Sequence, residues 1–243
     1  MAIFNPVPPL EAGAGISFDG ERISTAAAPR NWLDNSDFTN LVAQAGIGGK
    51  HGNVTYAADR WKLTSGTVTY TAGTGLKLNG TITQVLERAP AGGSWFVGVA
   101  SGTATIVLNG NIITITSSGG VIKWAALYAG AYTEVNRPEY QPKGYAAELL
   151  ECQRYYEVVK GGGSISQGDY GSVRTRYGFS FLKKRVTPSV SIIEFWSPGT
   201  YGQSEMGTLS VNDVNDQRAT ILIGGTKVAG LYALTQFAVS ADL

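Results

Sequence analysis

The chain has 243 residues, a formal net charge of +1 and charged side chains at only 15%. Such a balance provides no overall basic field for nucleic acid and no acidic tail, so any polyanion site must be local. Cys152 is the only cysteine, which excludes an intramolecular disulfide and a thiolate metal cage built from one chain.

Glycine is frequent, at 32 residues, and Thr, Ser, Val, Ile and Tyr fill the segments between glycines. That is the composition of short strands joined by tight turns, and the expected class is all-β. Residues 1–30 carry Pro6, Pro8, Pro9 and Pro29 and too little apolar periodicity for a core, so they read as a stalk or attachment arm. Within them a short hairpin is expected around Asp19-Gly20, marginal alone and in need of partner chains. The N-terminus lacks the pattern of a signal peptide, and no run suits a membrane span. The expectation is a protein made and folded in a cytoplasm, without membrane insertion.

Residues 31–142 read as a first β-sandwich, of jelly-roll type, with strands near 60–63, 67–70, 76–78, 81–87, 95–99, 103–108, 111–116 and 121–128. Turn signals separate them at Thr64-Ser65-Gly66, Ala72-Gly73, Asn79-Gly80, Gly92-Gly93, Asn109-Gly110 and Gly119-Gly120. Residues 143–154 read as a short connecting helix. Tyr145, Leu149, Cys152 and Tyr156 recur at helical spacing and predict one buried stripe, with Glu148, Glu151 and Arg154 elsewhere. On that stripe Cys152 is a small core residue and not a reactive thiol. Residues 155–243 read as a second, smaller β-sandwich. Its clearest strand runs over 173–181, where strict alternation separates Val173, Tyr177, Phe179 and Phe181 from Arg174, Arg176 and Ser180.

Catalytic patterns are mostly missing. His51 is the one histidine and reads as a solvated loop imidazole; there is no Gly-x-Ser-x-Gly elbow and no phosphate loop. No cofactor and no metal are expected. Asp34 and Asp37, with Asn31 and Asn35, fit an oxygen-rich turn better than a calcium site. A carboxylate pair could be drawn from Asp34, Asp37, Asp59, Glu87, Glu134, Glu139, Asp169, Glu194 and Glu205, but these read mostly as surface charges. Trp61, Trp95 and Trp124 sit inside strand-like runs and are expected in the core. Trp196, Tyr201 and Tyr170 lie in or beside loops, where aromatic rings can stack on sugar faces. The cluster Lys183-Lys184-Arg185, with Arg174 and Arg176, reads first as a solvated face and second as an anion site for acidic polysaccharide.

The segment 147–156, Ala-Glu-Leu-Leu-Glu-Cys-Gln-Arg-Tyr-Tyr, resembles the Glu-Leu-x-x-Cys-Gln-Arg-Tyr-Tyr signature of tail-fibre and receptor-binding proteins of tailed bacteriophages. Residues 31–38 with Ala58-Asp59-Arg60-Trp61 look like the opening of the sandwich module that precedes this signature. Arg185-Val186-Thr187-Pro188-Ser189-Val190 and the ending 239–243 resemble pieces of the C-terminal domain, and 13–24 resembles the stalk of trimeric fibres. Lys183-Lys184 depart from the usual non-polar residue at that edge. The resemblance implies a homotrimeric virion tail protein, assembled in a bacterial cytoplasm and joined to other tail proteins through residues 1–30. It would bind a bacterial surface polysaccharide or lipopolysaccharide without chemistry; a depolymerase or a purely structural tail or head-decoration protein are the alternatives. Trp196, Tyr201, Tyr170, Arg174 and Arg176 are the expected glycan contacts, and Tyr145, Leu149, Cys152 and Tyr156 the expected packing residues of the connector.

Overall fold

The computed structural model describes residues 16–19, 22–25, 29–166, 175–196, 208–224 and 231–241. Within them the chain is mostly antiparallel β with one helix, as its composition predicts. Strands β1 (Ile16–Asp19) and β2 (Arg22–Thr25) pair as a hairpin, with Phe18 opposite Ile23.

The first β region is a seven-stranded sheet. It contains β3 (Lys50–His51), β4 (Val54–Ala58), β5 (Trp61–Thr71), β6 (Gly75–Val85), β7 (Gly93–Ser101), β8 (Ala104–Asn109) and β9 (Ile112–Ala129). Strands β3 to β6 pair in chain order, and β9 lies between β6 and the β7–β8 edge. Both β7 and β8 run antiparallel to β9, one along each half of it, so together they make a single edge interrupted at 102–103. Eight expected strands thus become five: 60–63 and 67–70 merge into β5, 76–78 and 81–87 into β6, and 111–116 and 121–128 into β9.

The reason lies in glycines whose sequence context is that of turns. Gly66 and Gly80 face each other in the middle of β5 and β6. A Cβ on Gly66 would stand 1.9 Å from the Asn79 carbonyl oxygen, and one on Gly80 2.1 Å from that of Ser65. Here Asn79-Gly80 serves a close backbone approach beside a bulge, not a hairpin. Asn109-Gly110 does mark a turn: Asn109 pairs with Ile112, and Gly110 takes the first turn position at φ 60°.

The sheet's inner face buries Trp61, Leu76, Leu78, Ile82, Ile113, Ile115 and Ile122 against Leu33, Phe38 and Leu41 of the preceding extended segment. Full burial of each such side chain stabilises by roughly 1.5 to 3 kcal/mol. Segment 31–37 lies along the end of β9, with Trp32 N–H donating to Leu127 O at 2.9 Å and Ala125 N–H to Ser36 O at 3.0 Å. On the opposite face Phe96, Ala126 and Tyr128 form a second cluster, packed by Trp124, Tyr132 and Tyr140. Of the three tryptophans expected in the core, Trp61 is fully buried, Trp124 is half-buried and stacks on Tyr140, and Trp95 is 37% exposed. The Trp95 expectation is corrected: it faces outward from an edge strand.

Helix α1 (Tyr145–Gln153) begins after Gly144, at φ 83° and without a side-chain cap. The second β region follows, with β10 (Tyr156–Ser166), β11 (Thr175–Ser180), β12 (Ser189–Trp196), β13 (Thr208–Asn212), β14 (Arg218–Gly224) and β15 (Leu231–Ser240). They form two three-stranded sheets, β10-β15-β12 and β11-β14-β13. Phe179 of one sheet stacks on Phe237 of the other at 4.3 Å, inside a cluster with Phe181, Ala219 and Val239. Two sheets sharing one aromatic core is the expected sandwich plan.

Candidate functional site

Segment 147–156 is where the two β regions meet, although its buried side is not the whole of the predicted stripe. Cys152 and Tyr156 are buried and Leu149 half-buried, but Tyr145 is 47% exposed, and Tyr156 opens β10 instead of extending the helix. Glu148, expected on the solvated side, is only 2% exposed. Its Oε2 accepts the Asn35 N–H at 2.6 Å and lies 4.0 Å from Lys143 Nζ, while Oε1 is buried without a hydrogen-bond partner. Burial pushes this carboxyl above its ordinary range, against the pull of Lys143 and Asn35. Burial also pushes the Cys152 thiol well up, which fits a core residue.

Lys143 is shared by three carboxylates: Glu151 at 2.5 Å, Asp34 at 3.7 Å and Glu148. Desolvation lowers its affinity for a proton, but these partners outweigh it and the amine sits above its ordinary value. Arg60, itself buried, pairs with Asp34 at 3.2 Å and lies 3.4 Å from the centre of the Tyr155 ring. Tyr155 donates to Glu87 at 2.8 Å, and Arg154 holds the same carboxylate at 3.0 Å.

Asp34, Arg60, Glu87, Glu151, Arg154 and Tyr155 wall a recess of about 230 Å³, completed by Arg30, Trp32, Leu86 and Arg88. Its carboxylates are occupied: Asp34 by Arg60 and Lys143, Glu87 by Arg154 and Tyr155, Glu151 by Lys143. Three groups have no polar partner among the described residues. Arg30 and Arg88 make no ion pair or hydrogen bond among the described residues, and neither does the indole N–H of Trp32. Arg30 lies 5.7 Å from the Trp32 ring centre. Sequence reasoning passed over Trp32; its signal was an aromatic between Arg30 and Asp34 in a segment with no strand alternation.

Of the predicted glycan contacts, none has a described side chain. Tyr170, Arg174 and Tyr201 lie outside the described residues; Arg176 and Trp196 are placed in β11 and β12, but their side chains also lie outside. Of the basic cluster, Lys183 is exposed and Lys184 is 2% exposed, so the solvated-face expectation is corrected for Lys184. It pairs with Glu157 at 2.7 Å and donates to Gln153 O. Burial lowers its pKa, against Glu157.

His51 is not a solvated loop imidazole. It is buried at the β3 edge between the rings of Tyr56 at 4.0 Å and Tyr156 at 3.5 Å, with Nε2 3.6 Å from Asp59. Asp59, expected at the surface, is buried and accepts from Gln44 at 2.7 Å. Asn31 and Asn35 are likewise structural. Asn35 bonds Val42 and Asp59 backbone, Asn31 bonds Leu127 and Ala125 backbone, and Asp37 accepts from Thr39. Local turn bonds form at Asn31 and Asp37, whose Oδ1 atoms accept from the Leu33 and Thr39 N–H groups, while Asn35 ties the segment to Val42 and Asp59 and Asp34 pairs with Arg60. Among the described residues no group of His, Cys, Asp and Glu is placed to hold a metal ion, and no helix is long and apolar enough to cross a membrane. Compared with protein families, curated proteins and solved structures, the chain matches none.

Proposed function

We propose that the chain is a bacteriophage tail protein that attaches the virion to a bacterial surface glycan by binding alone. Support begins with the segment that resembles the tail-fibre signature. Its Glu148, Cys152, Tyr155 and Tyr156 are buried at the junction of the two β regions, which gives each a structural reason.

The single observation that carries the reading is the recess beside that junction. An indole wall and two guanidinium groups without a carboxylate partner among the described residues suit a sugar's flat face and its polar substituents. Its carboxylates are committed to cations and to a tyrosine, an arrangement for holding a shape rather than for exchanging protons. A homotrimer, an attachment role for residues 1–30 and a jelly-roll-like first module belong to the same proposal. Three recesses on one particle would raise weak single-site affinity through avidity.

Light scattering on the purified chain and competition with virion adsorption test it together. The expected result is three times the chain mass, with adsorption to host cells blocked by the protein. A monodisperse monomer with no effect on adsorption would overturn it.

A further inference from the structure

The recess also indicates which sugars it takes. Resting on the glycan-binding reading above, we propose that it selects an anionic saccharide, with the charged substituent held by Arg30 and Arg88 and the ring against Trp32.

Charges inside this one concavity are unevenly paired. Arg60 and Arg154 are neutralised by Asp34 and Glu87, each at hydrogen-bond distance. Arg30 and Arg88 line the same 230 Å³ space with no carboxylate of their own among the described residues. With a neutral sugar these exposed guanidinium groups keep water as their partner, whereas a carboxylate or phosphate accepts their N–H groups in stronger, charge-assisted pairs. The volume suits about one ring, and the ring is placed by Trp32, whose N–H makes no hydrogen bond among the described residues. Lys143 lies behind the wall, fully engaged by Glu151, Asp34 and Glu148, so it does not compete for the ligand.

A ring carboxylate and a sugar phosphate share this chemistry, and the test separates them. The full-length protein is titrated calorimetrically with glucuronate oligosaccharides, with a phosphorylated oligosaccharide and with neutral oligosaccharides of the same length. The chain and its Arg30→Gln and Arg88→Gln variants are compared at two salt concentrations. One or both anionic ligands are expected to bind at least about tenfold more tightly than the neutral one. Each substitution should erase most of that preference, and salt should weaken the anionic binding alone.

Equal affinity for neutral and anionic sugars, or a preference unchanged in both variants, would overturn the inference while leaving glycan binding intact. Binding of no saccharide at all would instead overturn the glycan-binding reading, and this inference with it. Both arginines are exposed, so the variants are expected to fold. An unchanged thermal midpoint checks this, and Arg→Lys at the same positions, which keeps the charge, should restore part of the preference.

Discussion

The imidazole of His51 lies 3.5 Å from the ring of Tyr156, with their planes within 2° of parallel. One residue belongs to the β3 edge of the first region and the other opens β10 of the second, so this stack is a fastening between them. Gln44 adds to it, donating to Tyr156 O at 2.7 Å and to Asp59 at 2.7 Å. Such offset or parallel ring contacts contribute about 0.5 to 1.5 kcal/mol beyond the area they bury.

Replacing Tyr156 with Ala should therefore cost about 3 to 5 kcal/mol, since the side chain is 1% exposed and leaves a cavity at the joint. Tyr145→Ala, on the stripe that the sequence predicts but 47% exposed, should change stability by less than about 0.5 kcal/mol. Urea unfolding of both variants checks the contrast. Equal costs would show that the junction does not run through Tyr156.

Glu148 carries a pH signature. Its folded carboxyl is raised by burial, so the stability linked to its protonated form is fully present below the ordinary value of 4.5 and is lost as pH rises through the folded value. Glu148→Gln cannot ionise and keeps an acceptor for the Asn35 N–H. The variant should gain on the parent as pH climbs through that window, and the difference should then stay level. A difference independent of pH across the acidic range would contradict this.

The Lys184–Glu157 pair at 2.7 Å offers a double-mutant cycle. Lys184→Met alone should cost about 3 to 5 kcal/mol, because it strands a partly buried carboxylate. Adding Glu157→Gln should recover most of that loss, since the amide can still accept from the Leu182 N–H. Additive costs would mean that the two groups act independently.

Gly80→Ala should destabilise by more than about 3 kcal/mol, because its Cβ would meet the Ser65 carbonyl at 2.1 Å with φ at 144°. Gly73→Ala, at φ 76° with open space around it, should cost only about 1 kcal/mol. Thermal melts decide between them; similar values would place the close strand approach elsewhere.

Class, helix position and most strands were legible because alternation and turn residues are local signals. What failed was non-local. Asn79-Gly80 has the composition of a hairpin turn, and only the partner Gly66 across the sheet shows that the glycine serves close strand contact. The helix stripe failed because an apolar count places Tyr145 inward and Glu148 outward. The Asn35 N–H and Lys143, distant from Glu148 or outside the helix, reverse that choice. His51 and Asp59 read as surface groups since nothing near them in the sequence shows that Tyr156 covers the imidazole. The recess was invisible for the same reason: Trp32, Arg88 and Arg154 come from three separated segments.

We propose that this recess binds a bacterial surface glycan. It is tested most directly by an array of such glycans probed with the full-length chain and with Trp32→Ala, using Arg88→Gln as a second variant at an exposed position. A defined set of saccharides should be retained by the parent and lost or weakened at least about tenfold in both variants, with both still folded by circular dichroism. Retention of the same set at the same strength by both variants, or no saccharide retained by the parent, would contradict it.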